Sequence, residues 1–133
     1  MKRMIFLFAM LVVSSAVFAG TPDLDKAVNG YMQALKSDNI GLRYSAIYEI
    51  AQLKCLYPEY NYSRVEKVLN QISRKDDQTI IRVHASLVND YLKSDNVSCV
   101  KAADTEDPMM FFDALHHEFN TQMLESTAQL TKS

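Results

Sequence analysis

The amino-acid sequence predicts an all-α protein made of two stacked helical hairpins and a C-terminal capping helix. Three observations predict this fold. Apolar residues recur at intervals of three and four along most of the chain, which is the spacing of one helix face. Glycine and proline are scarce, with three of each among 133 residues, and no segment shows the alternation of a strand. The helical pattern also recurs at a nearly constant interval, as in stacked helical repeats.

The first 19 residues have the three parts of a secretory signal peptide. Lys2 and Arg3 form a positive head, and residues 5–13 are an uninterrupted apolar run. Val17 and Ala19 then place modest or small side chains at the two positions that a signal peptidase reads. The alternative is a membrane anchor, but a spanning helix needs about 20 apolar residues. We therefore expect residues 1–19 to be cleaved, and the mature protein to be periplasmic or secreted with no membrane attachment.

The mature chain predicted in this way has one domain and a mildly acidic surface. Removing residues 1–19 takes away two basic residues and no acidic one, which leaves 12 basic and 16 acidic side chains and a net charge of −4. We expect the helical domain to occupy residues 20–125, followed by a polar, frayed tail over residues 126–133. The absence of a basic cluster argues against nucleic acid as a partner.

Two apolar stripes, separated by the turn Ser37-Asp38-Asn39, predict the first hairpin. Pro22 suits the first turn of its first helix. The apolar stripe of that helix consists of Leu24, Val28, Tyr31, Met32 and Leu35. The stripe of the second helix consists of Leu42, Ala46, Ile47, Ile50 and Leu53. Tyr57-Pro58 ends this helix, because the residue before a proline is disfavoured in the helical region.

A second pair of stripes predicts the second hairpin. Ser63 and Glu66 fit a capping box at the start of the third helix. The stripe of that helix consists of Val65, Val68, Leu69 and Ile72. Asp76-Asp77 introduces a fourth helix. Its apolar residues are Ile80, Ile81, Val88, Tyr91 and Leu92.

The fifth helix follows a polar stretch over residues 94–106 and begins at Asp107-Pro108. Its apolar residues are Phe111, Phe112, Leu115, Phe119 and Met123. Burial of each of these large apolar side chains stabilises the fold by about 1.5–3 kcal/mol. We therefore expect this helix to dock against helices three and four as a cap. The alternative is that its apolar face meets a second copy of the protein. A monomer is therefore our prediction and a homodimer the alternative.

The two hairpins have related sequences. Helices one and three align with a shift of 37 residues, and helices two and four with a shift of 39. Residues 38–51 resemble the inter-helix turn and second helix of a HEAT repeat: Leu42, Arg43, Ala46 and Ile50 occupy its aliphatic, arginine, small and aliphatic positions. Apolar residues at i, i+4 and i+8 form a buried seam along one helix face, and the small alanine in the middle lets two helices approach closely.

The resemblance implies an α-solenoid fragment in which Asp38 and Arg43 support stacking between adjacent repeats. The second unit keeps Ile81-Arg82 and Ala85 but has Asn89 where the seam of the repeat has an aliphatic residue. A shift of 38 would give that position an aliphatic residue but would lose the arginine. The sequence alone therefore does not decide between a shift of 38 and a shift of 39 residues for the second unit.

Three tyrosines, Tyr57, Tyr60 and Tyr62, stand in the short connection between the hairpins. They fit either a plug that packs over the ends of the helices or an exposed recognition patch, since tyrosine is favoured at protein interfaces. If the protein binds a partner, we expect this connection to contact it.

A second hypothesis concerns Asp113, His116 and His117 on the fifth helix. Asp113 and His117 are four residues apart and could reach one metal ion from the same face. The pattern lacks the paired histidines and the glutamate of a zinc protease helix. The alternative is a solvated helix face.

Cys55 and Cys99 are a candidate disulfide, because export to an oxidising compartment favours pairing of an even number of cysteines. The alternative is two unpaired, buried thiols. We find no catalytic motif and expect neither an enzyme nor a cofactor. The sequence thus predicts an exported protein–protein interaction or structural module that binds an unidentified protein, with a small metal-binding protein or enzyme as the alternative.

Overall fold

The computed structural model describes residues 23–95 and 107–132. These residues form five α-helices and no strand, which confirms the all-α prediction. The helices are α1 (Leu24–Leu35), α2 (Ile40–Leu56), α3 (Ser63–Lys75), α4 (Thr79–Lys93) and α5 (Pro108–Thr131). The predicted signal peptide and most of the polar stretch before α5 lie outside the described residues.

Side-chain caps fix where three of the helices begin. Asp23, Asn39 and Asp107 each accept a hydrogen bond from a backbone amide two or three residues later, at 2.9–3.2 Å. Such a bond satisfies one of the amides that a helix start leaves without a partner. Pro108 follows Asp107 as the first residue of α5, the position at which proline has no amide to lose.

The helices pair into two hairpins, and the hairpins stack. Helix α1 packs against α2, and α3 packs against α4. The second helices of the hairpins, α2 and α4, also pack against each other, and the first helices, α1 and α3, touch. Equivalent helices thus lie side by side, which is the arrangement of a helical repeat.

Two arginines show the register of the repeat. The Nη1 of Arg43 donates to the carbonyl oxygen of Ser37 at 2.9 Å, and the Nη1 of Arg82 donates to that of Asp76 at 2.5 Å. Each acceptor stands six residues before its arginine, in the turn of the same hairpin. The two arginines are therefore structurally equivalent, and a shift of 39 residues relates α2 to α4.

The arginine of the first hairpin also binds the second. The Nε of Arg43 lies 3.0 Å from Oδ2 of Asp76, and its Nη2 donates to Oδ1 of Asp76 at 3.2 Å and of Asp77 at 3.3 Å. The side chains of Arg43 and Asp76 are about nine-tenths buried. The sequence resemblance implied this stacking role for Arg43. Asp38, its expected companion, is exposed.

The buried seam of α2 differs from the predicted one. Leu42 was expected to begin it but is 51% exposed, because α2 belongs to the first hairpin and no described helix stacks before it. Arg43, Ile47 and Ala51 form a second buried stripe, and Cys55, one turn further on, contacts Tyr91 of α4. This stripe therefore faces α4.

Helix α5 docks on one predicted helix and on one that was not predicted. It contacts α4 through His84, but it packs mainly on α2 rather than on α3. Its two phenylalanine rings meet the tyrosines of α2: Phe111 lies 5.4 Å from Tyr48, and Phe112 lies 5.4 Å from Tyr44, between ring centroids. The apolar stripe predicted which face of α5 is buried but not which helices cover it.

The second half of α5 extends beyond this contact. All residues from 123 to 132 are exposed, and Met123, predicted in the buried stripe, is 67% exposed. The polar tail expected to fray from residue 126 is helical as far as Thr131. No helix in the described ranges combines the length and hydropathy needed to cross a membrane.

Candidate binding surfaces

In the tyrosine connection, residues 57–62, one tyrosine is buried and the other two are half-buried. Tyr62 is 4% exposed, and its hydroxyl donates to the carbonyl oxygen of Tyr57 at 2.9 Å. Burial raises the pKa of Tyr62 to about 12. The Nζ of Lys54 lies 5.8 Å from the centroid of the Tyr62 ring. Tyr62 is therefore a core residue of the described chain.

Tyr60 ties the connection to the first helix. Its hydroxyl donates to the carboxylate of Asp25 on α1, and this bond raises the pKa of Tyr60. Its ring packs edge-on against Tyr62 at 5.0 Å between centroids. Tyr57 and Tyr60 are each half-buried. The structure thus brings the three predicted tyrosines together, in the arrangement of a plug over the helix ends.

Asp113, His116 and His117 all lie exposed on α5. Nδ1 of His116 is 3.2 Å from the side-chain nitrogen of Asn120. Within residues 23–95 and 107–132, no three His, Cys, Asp or Glu side chains are grouped so that they could hold a metal ion. The third histidine, His84, packs against Tyr44 and Phe112.

Cys55 lies at the end of α2, half-buried, with its sulfur 3.2 Å from the hydroxyl of Tyr91. Burial raises the pKa of Tyr91, so this hydroxyl keeps its proton at neutral pH. Cys99, the predicted partner of Cys55, lies outside the described residues. The Cys55–Cys99 pairing therefore stays a prediction.

An apolar groove of about 360 Å³ lies where α2, α4 and α5 begin. We call it the end groove. It is lined by Ile40, Gly41, Tyr44, Ile80, Asp107 and Met109. Three of these side chains are large, apolar and substantially exposed: Ile40 at 43%, Ile80 at 40% and Met109 at 46%. They come from three different helices and converge on one concave surface.

The helix starts give the end groove a rigid frame. Ile40 and Met109 each stand within two residues of a capped N-terminus. The carboxylate of Asp107 is already engaged by the amide of Met109. Burial, and then the negative charges of Asp107 and Asp113, raise the pKa of Tyr44, so the tyrosine is neutral. Among the lining side chains, Asp107 is the charged one, and the groove fits an apolar ligand.

The sequence did not reveal this surface. The sequence pattern predicts that Ile80 lies in the buried stripe of the fourth helix. It gives Ile40 no role of its own beyond its place in the HEAT-like segment, residues 38–51. One feature of the sequence could have indicated the groove: each isoleucine is one of the first two residues of its helix. At that position a side chain can extend beyond the end of the neighbouring helix of the hairpin. Whether such residues converge depends on the packing of α5, which the pattern did not fix.

Comparison with known proteins identifies no relative: no family model, no curated protein and no solved structure matches the chain.

Proposed function

We propose that this protein is an exported, non-enzymatic helical-repeat module that binds another protein through the end groove. The observation that carries the proposal is the convergence of Ile40, Ile80 and Met109, all more than one-third exposed, on one concave surface. Exposed apolar side chains scattered singly are ordinary, whereas a concave group of them is typical of an interaction site.

The shape and chemistry of the end groove support a protein ligand. Its volume of about 360 Å³ is suited to one or two large side chains, such as the aromatic or aliphatic anchors that dominate protein interfaces. Methionine contributes a flexible side chain that adapts to different apolar surfaces. The helices that frame the groove supply a preformed site, so binding orders little backbone.

We also propose that the module is exported and is a HEAT-like repeat. The stacking of equivalent helices and the equivalent arginines support a HEAT-like repeat. The charged head, apolar run and small-residue exit of residues 1–19 support export to the periplasm or the medium. In that compartment Cys55 and Cys99 form a disulfide, which fastens the end of α2 to the segment before α5.

Site-specific crosslinking in the cells that make the protein tests the role of the end groove. A photo-crosslinking amino acid replaces Ile80 in the groove, Leu56 beside the tyrosine connection, or Lys67 on α3. Leu56 and Lys67 are both exposed and lie away from the groove. We expect position 80 to yield a discrete adduct with another protein, and the other two positions to yield none.

The control variants are Ile80→Ser and Leu56→Ser, which each remove one exposed aliphatic side chain. With the crosslinker at residue 40, Ile80→Ser should weaken the adduct at least about tenfold, as expected for an interface anchor, and Leu56→Ser should leave it unchanged. An adduct from position 56 alone would place the partner on the tyrosine connection. That result, or no adduct at any position, would refute the proposal.

A further inference from the structure

The contact between the two hairpins shows which residues one repeat uses to bind the next, and the same positions can be compared at the two ends of the stack. Where they meet, Arg43 on α2 binds the turn carboxylates of the next hairpin. Beside it, Ile47 and Ala51 are fully buried. The register of 39 residues assigns the corresponding positions on α4 to Arg82, Ser86 and Asp90, which we call the Arg82 edge.

The Arg82 edge is open. Arg82 donates to the carbonyl oxygen of Asp76 and to the hydroxyl of Thr79. Among residues 23–95 and 107–132 it has no ion pair, whereas Arg43 has two. Ser86 and Asp90 are exposed, and the edge borders a groove of about 480 Å³. The arginine that binds a turn carboxylate in the first hairpin thus repeats in the second without one.

The opposite end of the stack carries one of the two complementary carboxylates, because Ser37 stands where the second hairpin has Asp76. Asp38 occupies the turn position that corresponds to Asp77, and it is exposed, with no ion pair in the described part of the chain. Leu42 corresponds to Ile81, which is fully buried, but is itself 51% exposed. We call Asp38 and Leu42 the Asp38 edge. A turn carboxylate and an aliphatic side chain are the groups with which α4 and its turn meet α2.

We propose that the Arg82 edge binds the Asp38 edge of a second copy, which continues the stack from one molecule to the next. Arg82 then binds the carboxylate of the other copy's Asp38, as Arg43 binds Asp77, and Leu42 of that copy is covered as Ile81 is. The contact is heterologous, since each molecule offers a different edge, so it forms open chains rather than closed dimers.

The residues of the Arg82 edge set the strength of this contact. Ser86 and Asp90 replace the isoleucine and alanine that are buried in the internal interface, so less apolar surface is covered. The association is therefore weak and reversible, with a dissociation constant on the order of 0.1–1 mM. It depends on concentration.

Sedimentation velocity of the mature protein between about 10 μM and 1 mM tests the proposal. We expect the wild type to associate reversibly as the concentration rises. Arg82→Gln and Asp38→Asn should each stay monomeric, because each lacks one edge. An equimolar mixture of the two variants should form a one-to-one dimer, since the intact Arg82 edge of one meets the intact Asp38 edge of the other.

A variant designed to strengthen the contact between copies, which we call the gain-of-function variant, makes the association easier to measure. Ser86→Ile combined with Asp90→Ala restores the residues of the internal interface and should raise the association constant at least about tenfold. Asp38→Asn in the same chain should abolish the gain, and because Asp38 is exposed this change does not disturb folding. Monomers at every concentration for both wild type and gain-of-function variant, or association that survives Asp38→Asn, would overturn the proposal.

Discussion

At the residue scale, the contact between Arg43 and Asp76 joins the two hairpins through side chains that are 33 residues apart in the sequence. Both side chains are about nine-tenths buried, and the carboxylate of Asp76 also accepts the amide of Gln78. One carboxylate thus binds an amide in the turn before α4 and pairs with α2. The resemblance predicted a structural role for the arginine, but it did not show which acid it binds, because the stacking partner lies 33 residues away.

Removing Arg43 should destabilise the protein far more than removing Arg82. Arg43→Ala leaves the buried Asp76 carboxylate without its partner, which costs about 3–5 kcal/mol. Arg82→Ala removes hydrogen bonds at the edge of the stack and should cost about 1 kcal/mol. Urea unfolding followed by circular dichroism measures both. Equal losses would mean that the ion pair between the hairpins contributes nothing beyond an edge contact.

Tyr62 should make the protein sensitive to alkali. Its pKa is raised from 10.0 to about 12 in the folded protein, so folding favours the protonated phenol. The resulting stability is fully present below pH 10 and is lost as the pH rises from 10 through about 12; it amounts to about 2 kcal/mol. In Tyr62→Phe this loss should be absent.

The measurement is the free energy of unfolding of both proteins at pH 8 and at pH 11.5. At pH 8, Tyr62→Phe should be about 1 kcal/mol less stable, because the bond to the carbonyl of Tyr57 is gone. The difference between the proteins should shrink or reverse at pH 11.5. A difference that does not change with pH would show that Tyr62 ionises as easily in the folded protein as in the unfolded chain.

At the element scale, α5 is held by the aromatic residues of its first half. Phe112 is 1% exposed and lies 4.3 Å from His84 and 5.4 Å from Tyr44 between ring centroids. The sequence pattern predicted the buried stripe of this helix from Phe111 to Leu115. It could not predict α2 as the main contact, because tyrosines of α2 form the docking surface and were outside the predicted apolar stripe.

Phe112→Ala should therefore cost about 3–5 kcal/mol, as is usual for a phenylalanine removed from a packed core. The matched control is Met123→Ala in the exposed half of the same helix, which should change the stability by less than about 0.5 kcal/mol. Thermal unfolding of both variants provides the measurement. Similar stabilities for the two variants would argue against docking of α5 through its phenylalanines.

At the scale of the whole molecule, the sequence predicted the number and order of the helices and their pairing into two related hairpins. These properties follow from local periodicity and from the turns at Ser37–Asn39 and Asp76–Gln78. The exposure of Leu42 and the end groove were missed, because each depends on which element lies beside a residue rather than on its own helix face.

The proposed Cys55–Cys99 disulfide is also a property of the whole molecule, since it closes a long loop. The loop-entropy account gives a stabilisation of about 3–4 kcal/mol. Protein purified from an oxidising compartment should resist thiol alkylation when denatured, and reduction should lower its free energy of unfolding by that amount. Two alkylated cysteines before reduction would show that the bond does not form.

The packing of α2 against α4 joins the two hairpins into one stack. Methyl-labelled protein examined by NMR tests it most directly, through nuclear Overhauser effects between methyl groups of these two helices. We predict cross-peaks that link the buried methyl groups of Ile47 and Ala51 on α2 to those of Ile81, Ala85 or Val88 on α4. A spectrum in which the methyl groups of α2 show contacts to α1 and α5 but none to α4 would contradict the stacked repeat.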